Sequence, residues 1–268
     1  HGTPSAGAGV YTDLEETILT NSVTTPDTQD TTQYVCAGWT MTGHEPAGGT
    51  EAQVVMTVTN DAVLTWLWAT NYWLATAAGA HGSVLPASGW QAFGSNVEVT
   101  ATPDPYYYFT TWSDDAGGDT NPLILFMNGA KLVTASFMAN MTTNSPTPEW
   151  WLAQYGITSN FEEAVTNDAD GDGAPTGDEF IMNTDPSDSN AYLRLVNIAF
   201  EEGAGWTLTW PCATDRLYDV EYDGSITGGT WVVVEGLTNL APTSNLLIIT
   251  NVLDENALKF YRLKVWRP

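Results

Sequence analysis

Short runs of alternating apolar and polar residues make up much of the chain. Residues 96–103 (NVEVTATP), 107–113 (YYFTTWS) and 131–139 (KLVTASFMA) show a two-residue period, and clusters of Asp, Asn, Gly and Pro separate them. This period places successive side chains on opposite faces of a sheet, so each run predicts a strand with one buried face. The pattern therefore predicts a mainly β protein.

The same alternation returns between residue 191 and the C-terminus. Six segments carry it, with turn residues between them: AYLRLVNIAF, GWTLTWP, LYDVEYDG, TWVVVEG, NLLIITNVL and KFYRLKVWR. Six or seven short strands at this spacing favour a small β-sandwich of the immunoglobulin or fibronectin type III kind over residues 191–268.

The N-terminal half contains an internal repeat. HGTPSAGAGVY at His1 matches HGSVLPASGWQ at His81, and two further pairs follow in the same order: YVCAGWT with YYYFTTWS, and TNDAVLTWLWATN with MNGAKLVTASFMAN. We place the two repeats at residues 1–71 and 72–139. The second has a strand, residues 72–78, in front of His81, so we expect the first repeat to lack its first strand.

A sheet that lacks a strand has an edge of unpaired N–H and C=O groups, and such edges accept strands from other chains. We therefore expect a neighbouring subunit to supply the strand. The C-terminal segment ALKFYRLKVWRP is one candidate donor, and completion of its own domain is its other role. The alternative explanation is that the sequence is a fragment of a longer protein.

This half resembles the internalin B-type repeat of bacterial surface proteins. The resemblance rests on GSVLPASGW, NVEVTATP, YYFTTWS, NPLILFM and KLVTASF; it is clear across residues 72–138 and fainter across residues 1–71. It implies an all-β adhesive or spacer module without catalytic residues.

The region between the β halves is predicted to be helical. Thr147-Pro148 is typical of a helix start, EWWLAQYG follows with Gly156 as a stop, and SNFE at Ser159 is a capping-box pattern. Residues 140–148 (NMTTNSPTP) are polar with two prolines, which predicts a linker, and Asn140 begins a glycosylation sequon. We assign residues 149–190 to a helical calcium-binding module.

An acidic loop, NDADGDGAPTGDEF, begins at Asn167. It fits the EF-hand calcium pattern D-x-[DN]-x-[DN]-G-x5-E at five positions: Asp168, Asp170, Asp172, Gly173 and Glu179. Calcium prefers six to eight oxygen ligands, and the acidic side chains together with the Ala174 carbonyl would supply them. Without a cation these carboxylates repel one another. We therefore predict Ca²⁺ at this loop.

The acidic region also resembles the thrombospondin type 3 and dockerin-like calcium linkers of secreted bacterial proteins, on DADGDG and EFIMNTDPSDSNA. This resemblance implies Asp185 as a further ligand and a spacer stiffened by calcium. Ala174-Pro175 departs from the pattern. Pro175 also lacks the N–H that would bridge two paired EF-hand loops, which favours a single loop.

The amino-acid composition disfavours several classes of function. The net charge is −25, which disfavours binding to nucleic acid or to anionic membranes, and no long apolar run predicts membrane insertion. The two cysteines, Cys36 and Cys212, lack the spacing of a zinc or redox motif, and their pairing stays open. Abundant Thr, Asn, Gly, Trp and Tyr with few Lys indicates a secreted or cell-surface protein.

No nucleophile elbow, phosphate loop or zinc-protease motif occurs, so we predict a protein that is not an enzyme. We expect a calcium-stabilised subunit of a bacterial surface filament or matrix that assembles with copies of itself. The alternative is an adhesion or carbohydrate-binding appendage. It rests on 12 tryptophans, of which Trp66 with Trp68 and Trp206 with Trp210 share strand faces, although core packing also explains them.

Overall fold

The protein is described here by a computed structural model, which covers residues 1–201, 205–227, 229–250 and 260–268. The chain is mainly β, as predicted, and it forms two compact units, His1–Met138 and Ala139–Pro268. No helix among these residues has the length and apolar character needed to cross a membrane.

The first unit contains twelve strands among the described residues: β1 (Ile18–Ser22), β2 (Asp27–Gln29), β3 (Thr32–Thr42), β4 (Gly48–Gly49), β5 (Gln53–Thr57), β6 (Val63–Ala78), β7 (Gly82–Leu85), β8 (Gly89–Ala92), β9 (Asn96–Pro103), β10 (Tyr107–Asp114), β11 (Leu123–Phe126) and β12 (Lys131–Ala139). They form a seven-stranded sheet around β6, a β1-β5 pair, and a β11-β9-β7 sheet.

Strand β6 belongs to both repeats. Its N-terminal half pairs antiparallel with β3, whereas its C-terminal half pairs parallel with β12 and antiparallel with β8. The boundary expected between residues 71 and 72 therefore lies inside one continuous strand. The segment VLTWLWATNYWLATAA has neither Gly nor Pro to interrupt it, which is why the two repeats share it.

Matching ring contacts show how the two repeats correspond. His1 stacks on Tyr34 with ring centroids 3.3 Å apart, and His81 stacks on Tyr107 at 4.0 Å, both with an interplanar angle of 11°. The sequence matches placed these same residues at equivalent positions. The repeat is thus present in the contacts as well as in the sequence.

Two glycines show which individual residues of the two repeats are equivalent. A Cβ on Gly2 would lie 2.5 Å from the ring of Trp68, and a Cβ on Gly82 would lie 2.4 Å from the ring of Phe137. Both rings pack directly on the backbone that follows the histidine, so only glycine fits there. Trp68 of β6 and Phe137 of β12 are therefore equivalent positions.

The second unit begins with a folded loop in place of the linker expected at residues 140–148. Thr142 and Thr147 are buried, and Met141 forms a β-bridge with Pro148. The Thr142 hydroxyl donates to the Ser145 carbonyl, and the Thr147 N–H donates to the Thr142 hydroxyl. These hydrogen bonds give the polar segment a fixed conformation that its composition does not reveal.

Three short helices follow: α1 (Glu149–Gln154), α2 (Phe161–Ala164) and α3 (Thr176–Met182). Helix α1 ends at Gln154, and Gly156, two residues further on, has a φ of +79°, in keeping with the stop that the sequence predicts there. The capping box expected at Ser159 does not form. The Glu162 carboxylate instead accepts the N–H groups of Thr143 and Asn144, at 2.7 and 3.1 Å, and so ties α2 to the preceding loop. These backbone N–H groups hold the pKa of Glu162 below its usual value.

The C-terminal residues form a sandwich of two antiparallel sheets. The strands are β13 (Asn197–Glu201), β14 (Gly205–Pro211), β15 (Leu217–Asp223), β16 (Val232–Val233), β17 (Leu246–Thr250) and β18 (Phe260–Trp266). One sheet has the order β13-β14-β17 and the other β16-β15-β18. Side chains of both sheets enclose one core around Trp210 and Tyr218. The first strand starts later than expected, at Asn197, and the end of the predicted segment NLLIITNVL lies outside the described residues.

Candidate metal centre

The acidic loop is curled around its first aspartate. The N–H groups of Gly171 and Gly173 donate to the two carboxylate oxygens of Asp168, at 2.8 and 2.9 Å. Gly171 and Gly173 have φ values of +83° and +97°, a conformation that side chains with a Cβ rarely adopt. The two glycines therefore let the loop turn back on itself.

This turn brings three carboxylates together. Asp168, Asp170 and Asp172 each offer an oxygen, and these oxygens all lie within 4.8 Å of one another. The side chains of Asp170 and Asp172 also accept the N–H groups two residues further on, at 3.2 and 2.8 Å. Each of the two carboxylates still has one buried oxygen with no hydrogen bond from the described residues.

Glu179 is the most informative residue of the site. It lies on α3, it is 0% exposed, and neither carboxylate oxygen has a hydrogen-bond partner among the described residues. Burial, together with the charges of nearby carboxylates, raises its pKa to about 7; these carboxylates belong to Asp170, Asp172, Asp168 and Asp185. A buried carboxylate without a partner is costly unless a cation or a proton neutralises it.

The remaining predicted ligands lie at the margins. Ala174 is half-buried beside the loop, and its N–H donates to Asp172 at 2.8 Å. Asp185 is half-buried as well, but one of its oxygens accepts the N–H and the hydroxyl of Ser187, at 2.9 and 2.6 Å. Among the described residues the close carboxylate cluster holds only the three loop aspartates, so Asp185 acts on Glu179 through its charge.

Two neighbours of the site did not emerge from the sequence. The Thr184 hydroxyl is buried without a hydrogen-bond partner among the described residues, and the Thr184 N–H donates to the Glu179 carbonyl at 3.0 Å. The pKa of Tyr155 is raised by burial and by the charges of Asp185 and Glu179. No sequence motif identified Tyr155, because this residue directly follows α1 and comes near the site only through tertiary packing.

A buried arginine connects the helix of the site to the sandwich. Arg216 is 3% exposed, and its guanidinium donates to the carbonyls of Phe180 and Ile181 near the end of α3, at 2.6 and 2.7 Å. It also pairs with Asp215 and lies over the Phe180 ring. Glu179 is thus carried on a helix whose C-terminal end is held by a residue of the sandwich.

The donor set suits a hard divalent cation, because every candidate ligand is an oxygen. The hydrogen bonds to the loop aspartates come from neutral backbone N–H groups, which leave the negative charge of these residues and of Glu179 in place. A flexible loop of carboxylates fits the larger Ca²⁺ better than Mg²⁺, which requires a near-ideal octahedron. The residues therefore fit the calcium ion that the sequence predicts.

The other candidate features are held by internal contacts. Trp210 is 0% exposed in the sandwich core, Trp66 packs on the core of the first repeat, and Trp206 lies 5.4 Å from Phe200. The Asn140 amide donates to Glu149 at 2.9 Å.

The cysteines and the C-terminal strand also have internal partners. Cys36 and Cys212 are both free, and the Cys212 thiol donates to the Ser244 carbonyl. The segment considered as a donor strand forms β18 in its described part, and β18 pairs with β15 over seven residues. The strand thus completes its own sheet, which was the second role considered for it.

A family model described as a divergent InlB B-repeat domain matches residues 72–141. This match supports the B-repeat resemblance of the second repeat, and residues 1–71 lie outside it. Comparisons with curated proteins and with solved structures give no match.

Proposed function

We propose that this chain is a non-enzymatic structural subunit of a bacterial extracellular filament or matrix, stabilised by calcium and assembled with copies of itself. The observation that carries the proposal is Glu179, whose buried carboxylate has no partner among the described residues and is influenced by the charges of the three clustered loop aspartates. Calcium bound by these four residues would offset part of their negative charge and fix the loop.

The position of the site supports a structural role for the ion. Helix α3 carries Glu179, and Arg216 of the sandwich holds the last carbonyls of the same helix. An ion that fixes α3 therefore also stabilises the packing of the helical module on the sandwich. Extracellular calcium modules bind at roughly 0.1 to 1 mM, an affinity suited to a structural clamp in a calcium-rich medium.

The match to a B-repeat model supports a secreted or cell-surface location. The net charge of −25 bears on assembly, because copies of the chain repel one another where their charges are not screened. Divalent cations reduce this repulsion in addition to filling the site.

The test is assembly of the full chain with and without calcium, followed by analytical ultracentrifugation and electron microscopy. We expect larger species or filaments in calcium and smaller species in EDTA. Magnesium at equal concentration controls for general screening. A chain that stays monomeric at high concentration in calcium, or that assembles equally well in EDTA, contradicts the proposal.

A further inference from the structure

The seven-stranded sheet of the first unit has apolar residues on both of its faces. One face covers the core, where Leu74, Val133 and Ala135 are 0% exposed. Because side chains alternate along a strand, the odd-numbered positions of residues 63–77 and the even-numbered positions of residues 132–138 point to the opposite side. We call these positions, together with Trp90, the outer face.

The outer face carries large apolar side chains that are open to solvent. Four of them are between 41% and 64% exposed: Val63, Leu67, Leu132 and Met138. A sheet with one solvated face normally alternates apolar and polar residues, whereas apolar residues on both faces are typical of strands that are covered on both sides. The outer face therefore has the composition of a surface that binds another structure.

The exposed apolar pattern occurs in both repeats. Because Trp68 is equivalent to Phe137, residues 63–65 (VLT) correspond to residues 132–134 (LVT). Each repeat thus has an exposed aliphatic residue on the outer face, followed two positions later by threonine. The outer face is therefore a feature of the repeat itself.

The outer face is uncharged, although the net charge of the chain is −25. Strands β3, β6 and β8 contain no Asp, Glu, Lys or Arg, and Lys131 of β12 occupies a position on the core side. Asp115 lies at the margin, where its carboxylate accepts the Leu132 N–H at 2.8 Å. A charge buried against such a face would lose its hydration without gaining a partner. The occupant of the outer face must therefore be uncharged where it makes contact.

The side chains of the outer face favour a protein surface over a sugar. The rings of Trp73 and Trp90 stand at 73° to each other, with centroids 5.2 Å apart, so they do not form one flat platform. The Asn71 amide already donates to Gln33 at 3.3 Å. Small residues fill other positions, such as Ala77 next to Thr134, and a surface of this kind can pack face to face on a second sheet about 10 Å away.

The size of the outer face is sufficient for a contact between two copies of the chain. Strand β6 has 16 residues, which at about 3.3 Å per residue gives a length of about 50 Å. With a neighbouring strand on each side, at a spacing of about 4.8 Å, the surface is about 14 Å wide. The product is roughly 700 Å² per copy, close to the ~800 Å² per partner of a stable interface.

We propose that the outer face packs against the outer face of a second copy, sheet on sheet about a twofold axis. Each copy then covers the exposed apolar side chains of the other, and the uncharged face meets an uncharged face. This inference rests on the proposed function only in that copies of the chain associate. It does not need calcium, because the outer face lies in the first unit and the candidate metal centre in the second.

The experiment is analytical ultracentrifugation of the full chain in EDTA and high salt, which screens the net charge. We expect a reversible equilibrium between monomer and dimer. Leu67→Lys and Leu132→Lys should each raise the dissociation constant of the dimer at least about tenfold, because an ammonium group would be buried in the interface without a partner. Both substitutions make the chain less negative, so a weaker dimer cannot come from greater repulsion between the copies.

Ile124→Lys is the matched control. Ile124 is 58% exposed on β11, which belongs to the other sheet of the first unit, and the substitution makes the same change in charge. This variant should form the dimer like the unmodified chain. Melting curves by circular dichroism check that all three variants fold.

Hydroxyl-radical labelling of the unmodified chain gives a second measurement. Leu132 and Met138 should be labelled less in the dimer than in the monomer, whereas Ile124 should be labelled equally in both. A chain that stays monomeric at high concentration, a dimer that both outer-face variants leave intact, or unchanged labelling of Leu132 and Met138 overturns the inference.

The same samples separate this inference from the proposed function. A dimer in EDTA that forms no larger species in calcium keeps the interface and contradicts the calcium-dependent filament. Calcium-dependent assembly that both outer-face variants retain supports the filament and overturns the interface. Glu179→Gln should form the dimer normally.

Discussion

Replacing Glu179 by Gln should change stability in opposite directions with and without calcium. Gln keeps the size of the side chain and removes the charge that is buried beside the loop aspartates. In EDTA the variant should therefore be more stable than the unmodified chain. In calcium it should lose a ligand and with it the stabilisation that calcium gives.

The pKa of Glu179 sets the size of the first effect. A rise from 4.5 to about 7 corresponds to roughly 3 kcal/mol against the charged form at pH 8. The second effect follows from binding. For a dissociation constant of about 0.1 to 1 mM, 10 mM calcium stabilises the folded unit by about 1.5 to 3 kcal/mol. Each effect amounts to several degrees in the melting temperature of a unit of this size.

The assay is thermal denaturation of the full chain at pH 8 in EDTA and in 10 mM calcium, followed by circular dichroism. Glu163→Gln is the matched control, because Glu163 is exposed on α2 and the substitution makes the same change in charge. The control should melt like the unmodified chain in both conditions. If Glu179→Gln lowers the melting temperature in EDTA and keeps the full response to calcium, the assignment of Glu179 is wrong.

Three further predictions concern pH and packing. In EDTA the free energy of unfolding should fall as the pH rises from 5 to 8, since the folded state binds the Glu179 proton more tightly than the unfolded chain; with saturating calcium the trend should reverse, and denaturation across this pH range measures both. Gly82→Ala should destabilise the first unit by about 1 to 3 kcal/mol in urea denaturation, because its Cβ would overlap the Phe137 ring, whereas Gly117→Ala meets no neighbouring atom and serves as control. Arg216→Met should cost about 2 to 3 kcal/mol and weaken calcium binding in a calorimetric titration, since it removes the donors that hold the end of α3; unchanged calcium affinity would show that α3 is positioned without it.

The sequence by itself determined the local features of this protein. The two-residue period predicted the strands of both halves, because alternation is imposed by the strand backbone. The spacing of Asp168, Asp170 and Asp172 predicted that their carboxylates come together at one place. In the structure, one oxygen from each lies within 4.8 Å of the others. The repeat was visible in the sequence because residues at equivalent positions, such as His1 and His81, make equivalent contacts and are therefore of the same type.

Only the tertiary structure decided how these pieces combine. Strand β6 continues through both repeats because it pairs with β3 and β12, which are distant in sequence. The residue types at positions 71 and 72 therefore do not reveal that the strand is continuous there. The folded loop at residues 140–148 depends on hydrogen bonds to Glu162. The burial of Glu179 and its connection to Arg216 arise from packing between elements distant in sequence, and burial of this kind is what shifts a carboxylate pKa.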